Sequence, residues 1–454
     1  MKHLIPLLCL AAAPALGATR YVAIANLTPA PPYDTWATAA RNIQDAIDAA
    51  AAGDTVLVTN GVYSTGVEAG YTATSNRVVI NKDIAARSVS GPAQTLIVGA
   101  PDPGGGLGSK SIRCIYVAEV AVLDGFTLTN GYTRATPLGR SPNERGGGAW
   151  CETNAVLTNC IIVGNHANDD GGGVYGGTLF RCIISGNSTQ DSLDRDGDGG
   201  GADSATLYNC VVSNNHGRKG GGVDDSTLYG CVLLGNNGRV LGGGAARSKL
   251  YQCAVVDNYS RQGGGVDRCD VFNSIVYHNR AAVGPNYAPL ISFSDIRSTF
   301  YSSCTTPLPE SGSGNMAHDP QLASWTHLSS NSPCRAAGAL AYSTGVIDID
   351  GQPFSNPPSM GADELTTGMA SGPLSVAIEN DFSRVAVGFA VRFKLQVDGQ
   401  TTCTRWDFGD GTLLTNQLIV SHAWSSTGTY PVRLTAWNSD SGTPSNSSCL
   451  TVAR

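Results

Sequence analysis

The chain has 454 residues with 29 basic and 36 acidic side chains, a net charge of −7 and 41% hydrophobic residues. That length allows two or three domains, and the mild acidity argues against nucleic acid as a partner. Glycine is abundant at 56 residues but shows no three-residue period, which excludes a collagen.

The opening "MKHLIPLLCLAAAPALGA" joins a basic start, an apolar run too short to span a bilayer, and small residues at Gly17 and Ala18, the pattern of a secretory signal peptide. Residues 1–18 are expected to be removed, leaving a protein that is secreted and in some settings cell-surface associated. Leu8 before Cys9 disfavours lipid anchoring, and no later segment is long and apolar enough for a membrane span. Next, "NIQDAIDAAAAGDTVLVTNGVY" (42–63) predicts a helix leading into strands. Trp36, Ala40, Ile43, Ile47 and Ala50 fall on one helical face, and Gly53 stops it. "RVVINKDIAARSVSGPAQTLIVG" and "IYVAEVAVLDGFTLTNG" supply further strands.

A repeated phrase then appears: "LTNCIIVGN" from 157, "LFRCIISGN" from 179, "LYNCVVSNN" from 207, "LYGCVLLGN" from 228, "LYQCAVVDN" from 250 and "VFNSIVYHN" from 271. The spacing is 21 or 22 residues with one step of 28, and glycine triplets begin at 146, 171, 199, 220, 242 and 263. Such a unit cannot bury its apolar face alone and must stack on its neighbours. The β-branched and aromatic content between glycine and asparagine predicts strands, hence coils stacked at roughly 4.8 Å in a β-solenoid. The triplets mark a corner that needs positive φ or close backbone approach. Asn165, Asn187, Asn215, Asn236, Asn258 and Asn279 are expected at a tight corner, in left-handed conformation, with their amides bonded in a ladder. Cys160, Cys182, Cys210, Cys231 and Cys253 read as a buried thiol ladder of small apolar filler, since parallel side chains hold the Cβ atoms apart.

Three features of the repeat could carry chemistry. The long step contains "DSLDRDGDGGGAD", in which Asp194, Asp196 and Asp198 could surround a hard cation such as Ca2+, although Ala205 stands where an EF-hand has glutamate; a solvated acidic loop is the alternative. After the triplets, Asp203, Asp224 and Asp267 form one column, and Asp225, Arg247 and Arg268 the next. These columns could bind an acidic sugar through calcium and arginine, or could form a surface salt-bridge ladder of little energetic worth. The aromatic column Phe180, Tyr208, Tyr229, Tyr251 and Phe272 is either stacked in the core or an outward platform for sugar rings. The leucine three residues before each cysteine and that cysteine cannot both face inward in one unbroken strand, so the direction stays open.

After Asn279 the rhythm fades, and "SPCRAAG", "DIDGQ" and "GADE" (332–364) are expected to fold back over the last coils. "LTTGMASGP" (365–373) reads as a linker. Beyond it, "YPVRLTAW" alternates as a half-buried strand and "DFGDGT" is a turn, which suits a sandwich. Trp406 and Trp424 are expected in its core, with Asp407 and Asp410 as turn formers. In an oxidising compartment Cys304 with Cys334, and Cys403 with Cys449, are candidate disulfides.

The cysteine, asparagine and glycine-triplet rhythm, with its opening at 42–63, resembles right-handed parallel β-helix proteins of the pectin-lyase-like kind; the rhythm is also similar to repeats of chlamydial polymorphic outer-membrane proteins. Residues 332–364 resemble the closing segment of secreted bacterial β-helix proteins, and "RWDFGDGT" with "SHAWSSTGTYPVRLTAWN" resembles the PKD domain. The resemblance implies an all-β protein: a right-handed parallel β-helix with an N-terminal capping helix over 19–297, a closing segment over 298–364, the linker, and an immunoglobulin-like PKD sandwich over 374–454. In that family the module is usually a spacer or a protein- or carbohydrate-contacting surface. "RSPNER" (140–145) is similar to the R-x-P-x-x-R spacing of one pectate-lyase family, in which an arginine takes the proton beside a uronate carboxylate that calcium acidifies. Arg140 or Arg145 would then be the base, although that family's W-I-D-H motif is absent from this sequence.

Two functions follow. One is a non-catalytic extracellular protein whose long face and PKD module bind polysaccharide or a cell-surface protein. The other is a calcium-dependent polysaccharide lyase using the acidic insertion with Arg140, Arg145, Arg247 and Arg268. A convergent charge cluster favours the lyase, and charges spread along a flat face favour the binder.

Overall fold

The computed structural model describes residues 17–69, 73–135, 141–190, 197–288, 297–345, 347–366, 370–440 and 445–453. Four sheets, here I to IV, with 11, 10, 9 and 6 strands among the described residues, build the N-terminal part; all their pairings are parallel except that of Glu68–Ala69 with Ser75–Ile80 in sheet III, and sheet IV begins only at His166. One coil shows the plan: Val223–Asp224 lies in sheet III, Thr227–Tyr229 in sheet I, Val232–Leu234 in sheet II and Asn237–Leu241 in sheet IV. Each strand pairs with the equivalent strand one coil away, so that Leu207, Leu228 and Leu250 stand in one register.

The repeated phrase is two strands, not one. Between them sits a residue with positive φ: Asn159, Arg181, Asn209, Gly230, Gln252 and Asn273, with φ from 46° to 61°. This left-handed corner resets the alternation. Leu207 and Cys210 therefore both face the core, each fully buried, and Tyr208 points outward. The aromatic column is an outward ladder, with neighbouring ring centroids 4.7–5.1 Å apart from Phe180 to Phe272.

The asparagine corner also differs in detail from the sequence expectation. Positive φ belongs to the residue before each asparagine, such as Asn214 and Gly235, and the asparagine side chain turns inward. Asn187 Nδ2 donates to Asn215 Oδ1 at 3.0 Å, Asn215 Nδ2 to Asn236 Oδ1 at 3.0 Å, and Asn236 Nδ2 to Asn258 Oδ1 at 2.9 Å. The ladder runs from Asn165 through Asn279 to Asn286, so the side-chain amides within it are satisfied. In the triplet corner, the first glycine has positive φ, and a Cβ on Gly221 would lie 2.2 Å from the Asn237 carbonyl carbon. Both reasons for glycine apply there. The thiol ladder of Cys160, Cys182, Cys210, Cys231 and Cys253 is buried and unbridged.

Helix α1 (Ile43–Ala49) is shorter than the apolar face suggested. Asn42 caps it by accepting the Asp45 N–H at 2.8 Å, and Ile43, Ala46 and Ile47 close the first coil against Val22 and Val56. Trp36 lies outside this helix, in a short turn, with its ring 4.5 Å from Tyr21.

At the other end, Thr299–Tyr301 and Cys304–Thr305 add one more strand each to sheets I and II. The closing segment then runs back across the left-handed corners of sheet I. Asn273 Nδ2 donates to Ala339 O at 2.9 Å, and Asn209 Nδ2 donates to Ile347 O at 2.7 Å. Tyr342 packs on Phe272 and Tyr301, covering that end of the aromatic ladder.

The C-terminal sandwich has a three-stranded and a five-stranded sheet. Trp406 and Trp424 are buried at its centre, and Asp407 and Asp410 accept the Gly409 and Thr412 N–H groups that form the turn. The sandwich is seated on the solenoid. Trp325 Nε1 donates to Leu395 O at 2.9 Å, Lys394 bonds to Asp257, and Phe393 and Trp406 share an apolar cluster with Val256, Ile275 and Met360. Backbone register excludes a direct Cys403–Cys449 bridge. The strand Gly428–Trp437 lies between theirs, pairing Cys403 with Trp437 and Cys449 with Val432, well beyond disulfide reach. The Cys449 side chain itself lies outside the described residues. Cys304 and Cys334, both buried and unbridged, do lie side by side.

Candidate functional site

Sheet III carries the charged columns. Its inward positions Val174, Ala202, Val223, Ala245 and Val266 are fully buried. The alternate positions, in register, are Trp150, Tyr175, Asp203, Asp224, Ala246 and Asp267. One outward column is thus aromatic at its N-terminal end, with Tyr116 against Trp150 at 5.3 Å, and acidic beyond it. The corner after it holds Asp225, Arg247 and Arg268, all with positive φ.

A third column, before the triplets, escaped the sequence reading. Gly146, Gly171, Gly199 and Gly220 donate to the carbonyls of Asp170, Asp198, Lys219 and Leu241, which stacks Arg145, Asp170, Asp198 and Lys219 beside the Asp203 column. The signal was present in "NERGGG", "NDDGGG", "GDGGG" and "GRKGGG", had the repeats been aligned on the residue preceding each triplet.

Together the columns make a convergent strip. Asp203, Asp224 and Asp267 are buried on its floor, and basic side chains form a half-exposed rim. Asp198 takes Arg218 at 3.4 Å, Lys219 at 3.1 Å and Arg247 at 3.0 Å. Arg247 also binds Asp224. Arg145 lies 3.2 Å from Asp170 and 3.4 Å from Asp169, with its guanidinium over the Tyr175 ring at 4.9 Å. Arg268 approaches Asp267 at 3.5 Å. Asp203 differs from these: it accepts the Ser204 hydroxyl at 2.6 Å, forms no ion pair within 4 Å among the described residues, and feels Arg247 only at longer range.

Burial, with repulsion from neighbouring carboxylates, governs the ionisation. Burial and Asp169 push Asp170 up to about 7, against the pull of Arg145. Burial, then Asp170 and Asp224, raise Asp203 well above the carboxylate range. Burial lifts Asp224 to about 6 despite the Arg247 bond. Arg247 is held protonated by Asp224, and Arg145, though burial opposes it, by Asp170, Tyr175 and Asp169.

These facts revise several expectations. Arg140, Asp194 and Asp196 lie outside the described residues. Asp198 is the hub of three cationic side chains rather than an open ligand of an acidic loop. Arg145 and Arg247 are fixed as cations, which suits anion binding and opposes a role as base. Asp225 is exposed beside the strip.

Residues 376–449 match the model of the PKD domain. No curated protein matches the chain. Among solved structures, the fold is similar to that of pectate lyase Pel9A, at 14% identity, covering 78% of this chain and 97% of that one with a TM-score of 0.50. A rhamnogalacturonan lyase aligns at 13% identity, over 63% of this chain and 87% of its own, with a TM-score of 0.38. The chain thus combines a parallel β-helix, similar in fold to pectate lyase Pel9A, with a C-terminal PKD domain.

Proposed function

We propose that this is a secreted carbohydrate-active protein that engages an acidic polysaccharide at the sheet III strip, with a divalent cation such as Ca2+, and cleaves it by β-elimination. Asp203 carries the reading. It is a buried carboxylate set between Asp170 and Asp224, with no direct ion pair among the described residues and Arg247 acting only at longer range, and such a group either keeps its proton or takes a cation. Oxygen-rich sites of this kind suit calcium, which would neutralise the substrate's carboxylate. Arg145 and Arg247 are placed to pair with further substrate carboxylates, and Tyr175, Trp150 and Tyr116 continue the column with faces on which sugar rings stack. The pectate lyase name of the structural neighbour and the PKD domain agree with this class of ligand.

Lys219 is the group we assign as base. An amine gives up its proton far more readily than a guanidinium, and a cation that drew Asp198 away from Lys219 would break the 3.1 Å ion pair that favours its charged form. In the reaction, the proton on the carbon beside the uronate carboxylate passes to the Lys219 amine. Its electron pair forms the ring double bond, and the glycosidic bond breaks with its oxygen leaving on the departing sugar, where it takes a proton from water.

The test incubates the full chain with a panel of acidic polysaccharides, with calcium or chelator, and follows ultraviolet absorbance of the unsaturated product. Calcium-dependent product that is lost in Lys219→Ala and weakened in Asp203→Asn supports the reading; product unaffected by either variant refutes the assignment. The outward aromatic ladder favours a second reading, binding without cleavage, since Phe180 at its open end is 37% exposed. Retention of a polymer without product, reduced by Phe180→Ala and Tyr208→Ala, would select that reading.

A further inference from the structure

The closing segment carries a second group of metal-ligating side chains, far from the sheet III columns in sequence. His327, Asp350 and Asp363 each present a ligand atom, all within 4.8 Å of one another. The three come from separate turns. His327 follows the turn at Ser324, Asp350 belongs to the "DIDG" turn, and Asp363 to "GADE".

Each donor is held from behind. Ser324 Oγ and Thr326 Oγ1 lie 2.8 Å from His327 Nδ1, leaving Nε2 facing Asp350 Oδ2 at 3.0 Å. An imidazole whose other nitrogen is fixed by hydrogen bonds is the usual arrangement at a metal. Asp348 organises the second turn by accepting the Asp350 N–H at 3.0 Å and the Glu364 N–H at 3.0 Å. Asp363 is 4% exposed, and one of its oxygens accepts the Leu328 N–H at 2.7 Å. The other oxygen receives no hydrogen bond among the described residues. Ser324 cannot serve as a nucleophile here, because it is fully buried and its Oγ already accepts the Thr326 and His327 N–H groups.

We infer that His327, Asp350 and Asp363 form a divalent transition-metal site, with zinc the best match, that ties the three turns of the closing segment together. Imidazole with two carboxylates is a zinc-type donor set, whereas calcium prefers oxygen alone. Three protein ligands leave the fourth tetrahedral position to water, on the side where Asp350 is exposed.

The experiment titrates chelator-stripped full chain with zinc alone, by calorimetry, and measures retained metal after dialysis together with the thermal midpoint. The expected result is one tight equivalent that raises the midpoint. His327→Gln and Asp350→Asn should each bind at least about 100-fold more weakly, since loss of an outer-shell partner alone costs up to that much. Asp350 is exposed, so its variant reports even if His327→Gln folds poorly. Asp203→Asn should keep the zinc equivalent, which separates this site from the sheet III strip. Absence of zinc retention by the wild type, or retention unchanged in Asp350→Asn, overturns the inference.

Discussion

Replacing Asp170 by asparagine should flatten part of the protein's stability profile with pH. A carboxyl that ionises near 7 in the folded state, rather than near 3.9 in the unfolded chain, costs folding about 4 kcal/mol at alkaline pH, at roughly 1.36 kcal/mol per pH unit. Only the part of this above pH 5 falls between pH 5 and pH 8, and solvent screens part of the repulsion from Asp169 and Asp198, so about 2 kcal/mol is the expected effect in that window. The unfolded chain releases its proton near pH 4 and the folded protein near pH 7. Over that interval the folded state binds more protons, and stability falls as pH rises. The assay is urea unfolding of wild type and Asp170→Asn at pH 5 and pH 8 in chelator. Wild type should lose about 2 kcal/mol more than the variant between the two pH values, and calcium at pH 8 should restore part of that loss. Equal losses in the two proteins would refute the placement of Asp170 in a cation-deficient strip, as would a wild type that gains stability on going to pH 8.

Asn215→Ala removes the acceptor for both the Asn187 backbone N–H at 2.9 Å and the Asn187 amide at 3.0 Å. Leaving these buried donors unmet should cost about 2–4 kcal/mol, read as a lower urea midpoint; a change below about 0.5 kcal/mol would mean the ladder is replaceable by water. Protein recovered from an oxidising compartment should yield a peptide linked through Cys304 and Cys334, which already lie side by side, while Cys160, Cys182, Cys210, Cys231 and Cys253 label as thiols after unfolding. Mass spectrometry showing reduced Cys304, or bridges within the ladder, would contradict this.

The sequence by itself determined the architecture, because period and composition act locally. A strand-forming phrase with glycine and asparagine at fixed spacing can bury its apolar face only by stacking on its own copies, so the solenoid, the asparagine ladder and the thiol column were legible before any coordinates. The PKD turn was legible for the same reason, since "DFGDGT" specifies its own backbone. The direction of the aromatic ladder was not. It depends on the left-handed residue between Tyr208 and Cys210, and any of several residue types adopts that conformation when the neighbouring coil demands it. The candidate sites were divided in the same way. The Asp203 column followed from the triplet spacing, but its meaning depends on Arg145, Asp170 and Lys219, which reach it across coils. Only the tertiary structure decides which carboxylates are left without a direct ion pair. It also decides that His327, Asp350 and Asp363, each in a different turn of an irregular segment, come within bonding range of one ion. No periodicity links these turns, and their approach is set by how the closing segment packs against the finished solenoid.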